Sequence, residues 1–130
     1  MLVITPFYAA LLTLFYIILS FNVIRNRWRY KQSLGSGKEK QLEKSIRAHA
    51  NFAEYVPLVI IMMSFLEHGK EANGWLHFFG IALIIGRLSH AIGIGLQAPN
   101  ALRIVGMLAT FTCLLGTSFK LIILCLQNGF

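Results

Sequence analysis

Four long apolar stretches alternate with short polar segments along this chain of 130 residues. The first, residues 1–24, contains no charged side chain and is long enough to cross the hydrocarbon core of a bilayer. The others run from about 48 to 66, 72 to 96 and 104 to 126. Polar segments at 31–41, 67–71 and 97–100 separate them, and Pro99 and Asn100 favour a helix end.

This pattern predicts an all-α fold, an integral membrane four-helix bundle with helices at about 2–26, 46–67, 72–96 and 101–127. The helices use almost the whole chain, so we expect one domain over residues 1–130. We expect no cleavable signal peptide, because the positive charges follow the first apolar stretch instead of preceding it.

The composition agrees with a membrane protein, with 56% hydrophobic residues and a mean hydropathy of +0.65. Eight of the twelve Lys and Arg residues lie between Arg25 and Arg47, and Arg103 opens the fourth helix, whereas segment 67–71 has only Lys70. The positive-inside rule therefore predicts that the first and third loops are cytoplasmic and that both termini lie on the other side. Orientation and headgroup binding account for the net charge of +7, so we expect no nucleic-acid partner.

Cysteine and histidine positions give no sign of redox or metal chemistry. Cys113 and Cys125 both lie in the last apolar stretch, where we expect buried thiols and no disulfide. His68 and His77 have no cysteine or carboxylate at ligand spacing, so we expect no metal site.

Polar side chains enter the second apolar stretch, in the segment RAHANFAEYVPL at residues 47–58. The twelve uncharged residues from Tyr55 to Leu66 cover only about 18 Å, against a hydrocarbon core of about 30 Å. The second helix therefore spans the core only if Glu54 lies inside the membrane. Arg47, Asn51, Glu54 and Tyr55 follow a spacing that gives them one helical face.

The third apolar stretch carries polar residues at matching depth. Counting along antiparallel neighbours brings Arg87 level with Glu54, and His90 level with Asn51. An unpaired glutamate at this depth costs a few kcal/mol, so we expect a buried Glu54–Arg87 pair within an inward-facing polar layer. The alternative to a ligand site is a clamp between helices, with Asn51 bonding across helices and Arg47 anchoring at the membrane surface.

The same residues resemble a known family. R-A-H-x-N-x-x-E-Y-x-P, from Arg47 to Pro57, is similar to the second-helix motif of the MAPEG family, the membrane-associated proteins in eicosanoid and glutathione metabolism. The resemblance extends to G-R-L-x-H at 86–90 and L-R-x-x-G-M-x-x-T at 102–110, and the chain is most like the small bacterial members.

The resemblance implies a homotrimer with glutathione as co-substrate, bound between subunits near the cytoplasmic face. By motif position, Arg103 is the catalytic arginine that stabilises the glutathione thiolate, with His90 as the runner-up donor. The implied glutathione contacts are Arg27, Arg47, Asn51, Glu54, Tyr55 and His90, supported by Arg87 and His49. Ile94 stands where several eicosanoid enzymes have tyrosine, which argues against eicosanoid specificity.

These residues suit the chemistry of glutathione, since arginines bind its carboxylates in fork geometry and a buried glutamate can take its ammonium. The expected function is a membrane-bound glutathione transferase or peroxidase that acts on lipophilic electrophiles or lipid hydroperoxides dissolved among the membrane lipids. The alternative is a non-enzymatic lipid-binding or scaffolding member of the same family. A small transporter fits less well, because the sequence has no internal repeat or broken helix. If the protein is bacterial, we expect it in the inner membrane.

Overall fold

The structure, a computed structural model, describes residues 1–96 and 100–129, and within these ranges it contains four α-helices and no β-strand. The helices are α1 (Ile4–Tyr30), α2 (Lys40–His68), α3 (Asn73–Gly95) and α4 (Ala101–Asn128). Each is long and apolar enough to cross a membrane. The prediction of an all-α, multi-pass membrane protein is confirmed. Of the predicted break at 97–100, residues Gln97, Ala98 and Pro99 lie outside the described residues.

Two helix ends differ from the prediction. Helix α1 continues to Tyr30 instead of residue 26, and α2 begins at Lys40 instead of residue 46. Apolar content marks where the membrane ends, whereas a helix continues into water if its polar side chains are solvated. Glu43 also lies in the first turn of α2, where its charge suits the helix dipole. The α1–α2 connection is therefore shorter than the predicted loop.

Helices α2 and α3 form the centre of the bundle. Each contacts all the other helices, whereas α1 and α4 do not contact each other within the described residues. The buried core is mostly aliphatic and aromatic, and it includes Leu12, Phe52, Val59, Met63 and Leu83. Much of the outer surface of α1 and α4 is large apolar side chains, which suits contact with lipid or another subunit.

Helices α3 and α4 approach closely through glycines. A Cβ atom added to Gly106 would lie 2.6 Å from the Gly86 carbonyl oxygen, and one added to Gly93 would lie 2.6 Å from the Arg103 nitrogen. Small residues allow such backbone contact between membrane helices. The first half of α4, which carries Arg103, is thereby fixed against α3.

Glu67 caps the beginning of α1. Its carboxylate accepts hydrogen bonds from the backbone N–H groups of Val3 (2.5 Å), Ile4 (2.8 Å) and Thr5 (2.7 Å). The first N–H groups of a helix have no partner within it, and the helix dipole favours a negative charge there. Segment 67–71, predicted only as a turn, thus joins α1 to the α2–α3 connection.

Other polar contacts hold the same end of the bundle. Lys120 of α4 forms an ion pair with Glu71 (3.1 Å) and lies 4.5 Å from the ring centre of Trp75. The Tyr8 hydroxyl is 2.9 Å from Nδ1 of His77. All four helices are therefore tied together at this end by contacts within one chain.

The two cysteines have different environments. Cys113 is buried, as predicted, and its Sγ lies 3.5 Å from the Phe79 carbonyl oxygen. Cys125 is exposed, so the prediction of two buried thiols is wrong for this residue. It lines an open groove between the last turns of α4 and the end of α2.

Candidate functional site

Arg87 is the centre of the polar layer, and only 2% of it is exposed. Its Nη1 donates a hydrogen bond to Oδ1 of Asn51 at 2.6 Å. Its Nη2 donates to Oγ1 of Thr110 at 2.5 Å and to the Gly106 carbonyl at 3.2 Å. One guanidinium group therefore ties α3 to both α2 and α4.

The predicted Glu54–Arg87 pair is wrong. Glu54 is exposed, and the ion pair found among the described residues lies at the other end of the bundle. The reason is the rotation of α2: the side that meets α3 and α4 passes through Asn51 and Tyr55, whereas Glu54 lies one step around the helix. Arg87 therefore meets α2 at Asn51, about one helical turn from Glu54, the residue expected beside it.

Arg87 has no carboxylate among its hydrogen-bond partners in the described chain, since all of them are neutral. Its Nε atom is buried and has no partner there. Burying a cation without an anion is costly, and the cost is higher inside a membrane. The polar layer therefore carries unbalanced positive charge within the protomer.

His90 lies one turn beyond Arg87 on α3 and is also buried. The positive charges of Arg87, Arg103 and Arg47 all act on its ring. Arg47 and Arg103 are exposed and belong to α2 and α4, so arginines on three helices are near enough to act electrostatically on one histidine. This concentration of charge suits an anionic ligand.

Tyr55 completes the layer on the α2 side. It is half-buried, and it lies close enough to Arg87 for the two groups to interact electrostatically. Its ring meets Phe111 of α4 edge to face, with ring centres 5.7 Å apart. Tyr55 thus borders both the charged layer and the apolar surface of α4.

Comparison with known proteins agrees with this arrangement. The sequence profile of the MAPEG family matches residues 5–123. The chain belongs to the MAPEG family. Inner membrane protein YecN of Escherichia coli strain K12 is 36% identical over 112 residues, which cover 86% of this chain and 85% of the relative. The YecN protein of Escherichia coli O6:H1 matches equally well. No solved structure matches the chain significantly.

The predicted site residues of this MAPEG protein are not all brought together. Asn51, Arg87 and His90 are buried in the layer, and Arg47, Tyr55 and Arg103 border it. Glu54 lies at the same depth but points outward. Arg27 and His49 lie elsewhere, each with its own contacts.

Arg27 binds the α1–α2 loop. Its Nη1 donates to the carbonyl groups of Gln32, Ser33 and Gly35 at 3.1–3.2 Å. These bonds order a loop in which Gly35 has a positive φ angle. A glutathione contact by Arg27 stays a prediction, and it would compete with these three bonds.

His49 supports α1 instead of the layer. Its Nε2 lies 3.1 Å from the Ser20 hydroxyl, and its ring stacks on Tyr16 with centres 4.6 Å apart. Two residues along a helix correspond to about 200° of rotation, so His49 and Asn51 lie on nearly opposite sides of α2. His49 therefore fixes the α1–α2 contact.

Three residues that shape the polar layer were not predicted as parts of it: Thr110, Gly106 and Asn100. Thr110 and Gly106 belong to the α4 motif, but the motif alone does not reveal that they bind Arg87. Asn100 caps α4, since its Oδ1 accepts the Arg103 N–H at 3.0 Å, and its Nδ2 donates to the Gly93 carbonyl at 2.6 Å. The available signal was an asparagine just before a helix, the usual N-cap position.

Proposed function

We propose that this protein is a membrane-bound glutathione-dependent enzyme that transfers glutathione to lipophilic electrophiles or uses it to reduce lipid hydroperoxides. The observation that carries the proposal is the unbalanced charge of Arg47, Arg87 and Arg103 around the buried His90. Glutathione has two carboxylates and one ammonium at neutral pH, so its net charge is negative and complements the positive charge of this layer. Arginines also match carboxylates geometrically.

The reaction needs the thiolate of glutathione. A thiol with an unperturbed pKa of about 8.5 is only a few per cent thiolate at neutral pH, and the thiolate is the nucleophile. A cation within about 4–6 Å lowers such a pKa by roughly 1–3 units. We assign this role to Arg103, which lies in the capped first turn of α4 where the helix dipole adds positive potential. His90 is the second candidate.

The lipophilic substrate would meet the thiolate beside α4. An open groove of about 370 Å³ begins at Asn100 and Arg103 and continues along apolar side chains. Its apolar walls are Ile104, Met107, Leu108 and Phe111. In conjugation, the sulfur attacks the electrophilic carbon and the leaving group departs with its electron pair. In peroxide reduction, the thiolate attacks the terminal peroxide oxygen, the O–O bond breaks, and the alcohol departs after taking up a proton. A second glutathione then reduces the resulting sulfenic acid, which gives glutathione disulfide and water.

We also propose that the protein assembles as a homotrimer, with Glu54 in the subunit interface. Glu54 shares an outward stripe of α2 with Leu58, Ile61 and Phe65, which are all at least half-exposed in the protomer. A carboxylate facing lipid costs a few kcal/mol, and a second copy over this stripe would remove it from lipid. There it would also be available to the ammonium of glutathione.

Native mass spectrometry of the detergent-solubilised protein tests the assembly, and trimers are expected. Stable monomers or dimers would contradict it. For orientation, we propose an inner-membrane protein with both termini outside the cytoplasm, supported by the distribution of lysine and arginine. A reporter fused to the C-terminus should be active only outside the cytoplasm, and activity inside would contradict the orientation.

Calorimetric titration with glutathione tests the function directly. Millimolar or tighter binding is expected, together with conjugation of a generic aryl halide. The variant Arg47→Ala should weaken binding, whereas Lys38→Ala, in the α1–α2 loop, is the matched control that removes a cation away from the layer. Absence of binding at millimolar concentration would exclude the enzyme.

The alternative is a non-enzymatic lipid-binding or scaffolding protein. Two observations favour it: Ile94 is buried at a position where several eicosanoid enzymes have tyrosine, and Arg27 is occupied by loop carbonyls. Both reduce the number of groups available to glutathione. Lipid binding without glutathione binding in the same titrations would support this alternative.

A further inference from the structure

One face of α1 combines an apolar stripe with a cationic end. Leu14, Ile18 and Phe21 are each at least 60% exposed. The stripe continues through the exposed Arg25 to Trp28, which is 83% exposed. These residues recur every three or four positions, which places them on one side of the helix. Their exposure shows that the described part of the chain leaves this side of α1 uncovered.

The depth of Arg25 suits the phosphate level of a bilayer. From Ile4 to Ile24, α1 rises about 30 Å, the thickness of the hydrocarbon core. Arg25 follows directly, and its Nη2 donates a hydrogen bond to Oδ1 of Asn22 at 3.0 Å. A shallow groove of about 350 Å³ runs from Arg25 along Ile18 and Phe21. A fixed cation thus stands at the head of an apolar groove.

The surrounding segment is strongly basic. Residues 25–40 contain six lysines and arginines and a single acidic residue, Glu39. None of the six forms an ion pair within the described chain. Arg29, one turn beyond Arg25, lies over the Tyr30 ring at 5.6 Å, which leaves its charge without an anion. This end of α1 therefore fits an anionic partner.

We propose that this face of α1 binds an anionic phospholipid. Arg25 and Arg29 bind the headgroup phosphate, and one acyl chain lies along Ile18 and Phe21. Trp28 lies at headgroup level, where tryptophan is favoured at membrane interfaces. Juxtamembrane cations attract anionic lipids in this way. The site is separate from the polar layer and does not depend on glutathione chemistry.

Tryptophan fluorescence offers a direct test, because the chain has two tryptophans and Trp75→Phe leaves Trp28 as the lone reporter. This variant is reconstituted in phosphatidylcholine vesicles that contain a small fraction of a brominated lipid. The brominated lipid is phosphatidylglycerol in one sample and phosphatidylcholine in the other. Brominated phosphatidylglycerol should quench Trp28 more strongly at equal fraction. Arg25→Gln and Arg29→Gln should each reduce this preference about fivefold, the factor expected for one interfacial cation.

The matched control is Trp28→Phe, in which Trp75 reports from the other end of the bundle and should be quenched equally by both lipids. Quenching of the arginine variants by brominated phosphatidylcholine should stay unchanged, which shows that α1 is still inserted. Equal quenching of Trp28 by both lipids would overturn the proposal, since it indicates ordinary bilayer contact. No quenching by either lipid would also overturn it, since it indicates that protein covers this face.

Discussion

The two ends of this bundle treat charge differently. Near α1's first turn, Glu67 accepts three backbone N–H groups, Glu71 pairs with Lys120, and Lys120 also contacts Trp75. About 24 Å away along α2, Arg87 is buried with neutral partners, and Arg47 and Arg103 add further positive charge. Each carboxylate of the first cluster has bonding partners within the chain, whereas the second cluster is a concentration of arginines with no anion among the partners of Arg87 in the described chain.

This difference separates a structural cluster from a candidate site. Charged groups in a membrane are expensive, so a cluster that stabilises the fold should provide partners for its own charges, as it does for Glu67 and Glu71. A cluster with excess cationic charge, such as the one around Arg87, is suited to an anionic group from outside the protomer. Four substitutions test the comparison, and they are taken from the largest expected effect to the smallest.

Arg103→Ala should have the largest effect. We expect conjugation of an aryl halide to fall by about 10²–10³-fold, the usual cost of losing one donor that stabilises a developing anion. Glutathione binding should stay within a few fold, because the other arginines remain. The ultraviolet absorbance of the bound thiolate should be lost, because its stabilising cation is gone. Activity assays, calorimetry and ultraviolet absorbance measure these three effects. Full activity with an unchanged pH–rate profile would move the role to His90 or to no side chain.

Asn51→Leu removes the hydrogen bond that joins α2 to Arg87. A hydrogen bond to a charged group contributes about 1.5–3 kcal/mol, so we expect a loss of about that size in the free energy of unfolding in detergent. Gln41→Leu is the matched control, because Gln41 is an exposed amide on the same helix with no bond to Arg87. Equal losses from both variants would show that Asn51 is not special to the layer.

Glu67→Gln tests the end of the bundle where Glu67 caps α1. The amide keeps one acceptor but removes the charge from the first turn of α1, for an expected loss of about 1 kcal/mol in stability. Glutathione affinity should not change, because the layer is remote. A loss of glutathione affinity with unchanged stability would contradict the purely structural role of the Glu67 end.

Lys120→Met should have the smallest effect. The Lys120–Glu71 pair is partly exposed, with 23% and 18% of the two side chains accessible, and such pairs contribute below about 1 kcal/mol. The methionine keeps most of the apolar contact with Trp75. A thermal unfolding temperature lowered more than by Glu67→Gln would reverse the ranking of the two contacts.

The sequence predicted the architecture well because long uncharged stretches can span lipid only as helices. It predicted the depth of the layer to within about one helical turn, because the rise of a helix is constant: Arg87 was expected level with Glu54 and bonds Asn51 instead. It did not predict the rotation of α2, because Asn51 and Glu54 share a broad polar arc and spacing alone does not say which of them meets Arg87. Nor did it predict the Glu67 cap, which requires that α1 begins beside the end of α2.

The hydrogen bonds of Arg87 also have a consequence for how the helices assemble during synthesis. Ribosomes deliver α3 after α2 and before α4, so Asn51 is available when the arginine enters the membrane, while Thr110 and Gly106 are not. An arginine at a helix centre costs about 2.5–3.5 kcal/mol on insertion scales. Until α4 arrives and packs against α3 through its glycines, the half-made protein holds a cation with part of its bonds missing. Synthesis of α4 therefore supplies Arg103, the candidate catalytic residue, and at the same time the remaining hydrogen-bond partners of Arg87.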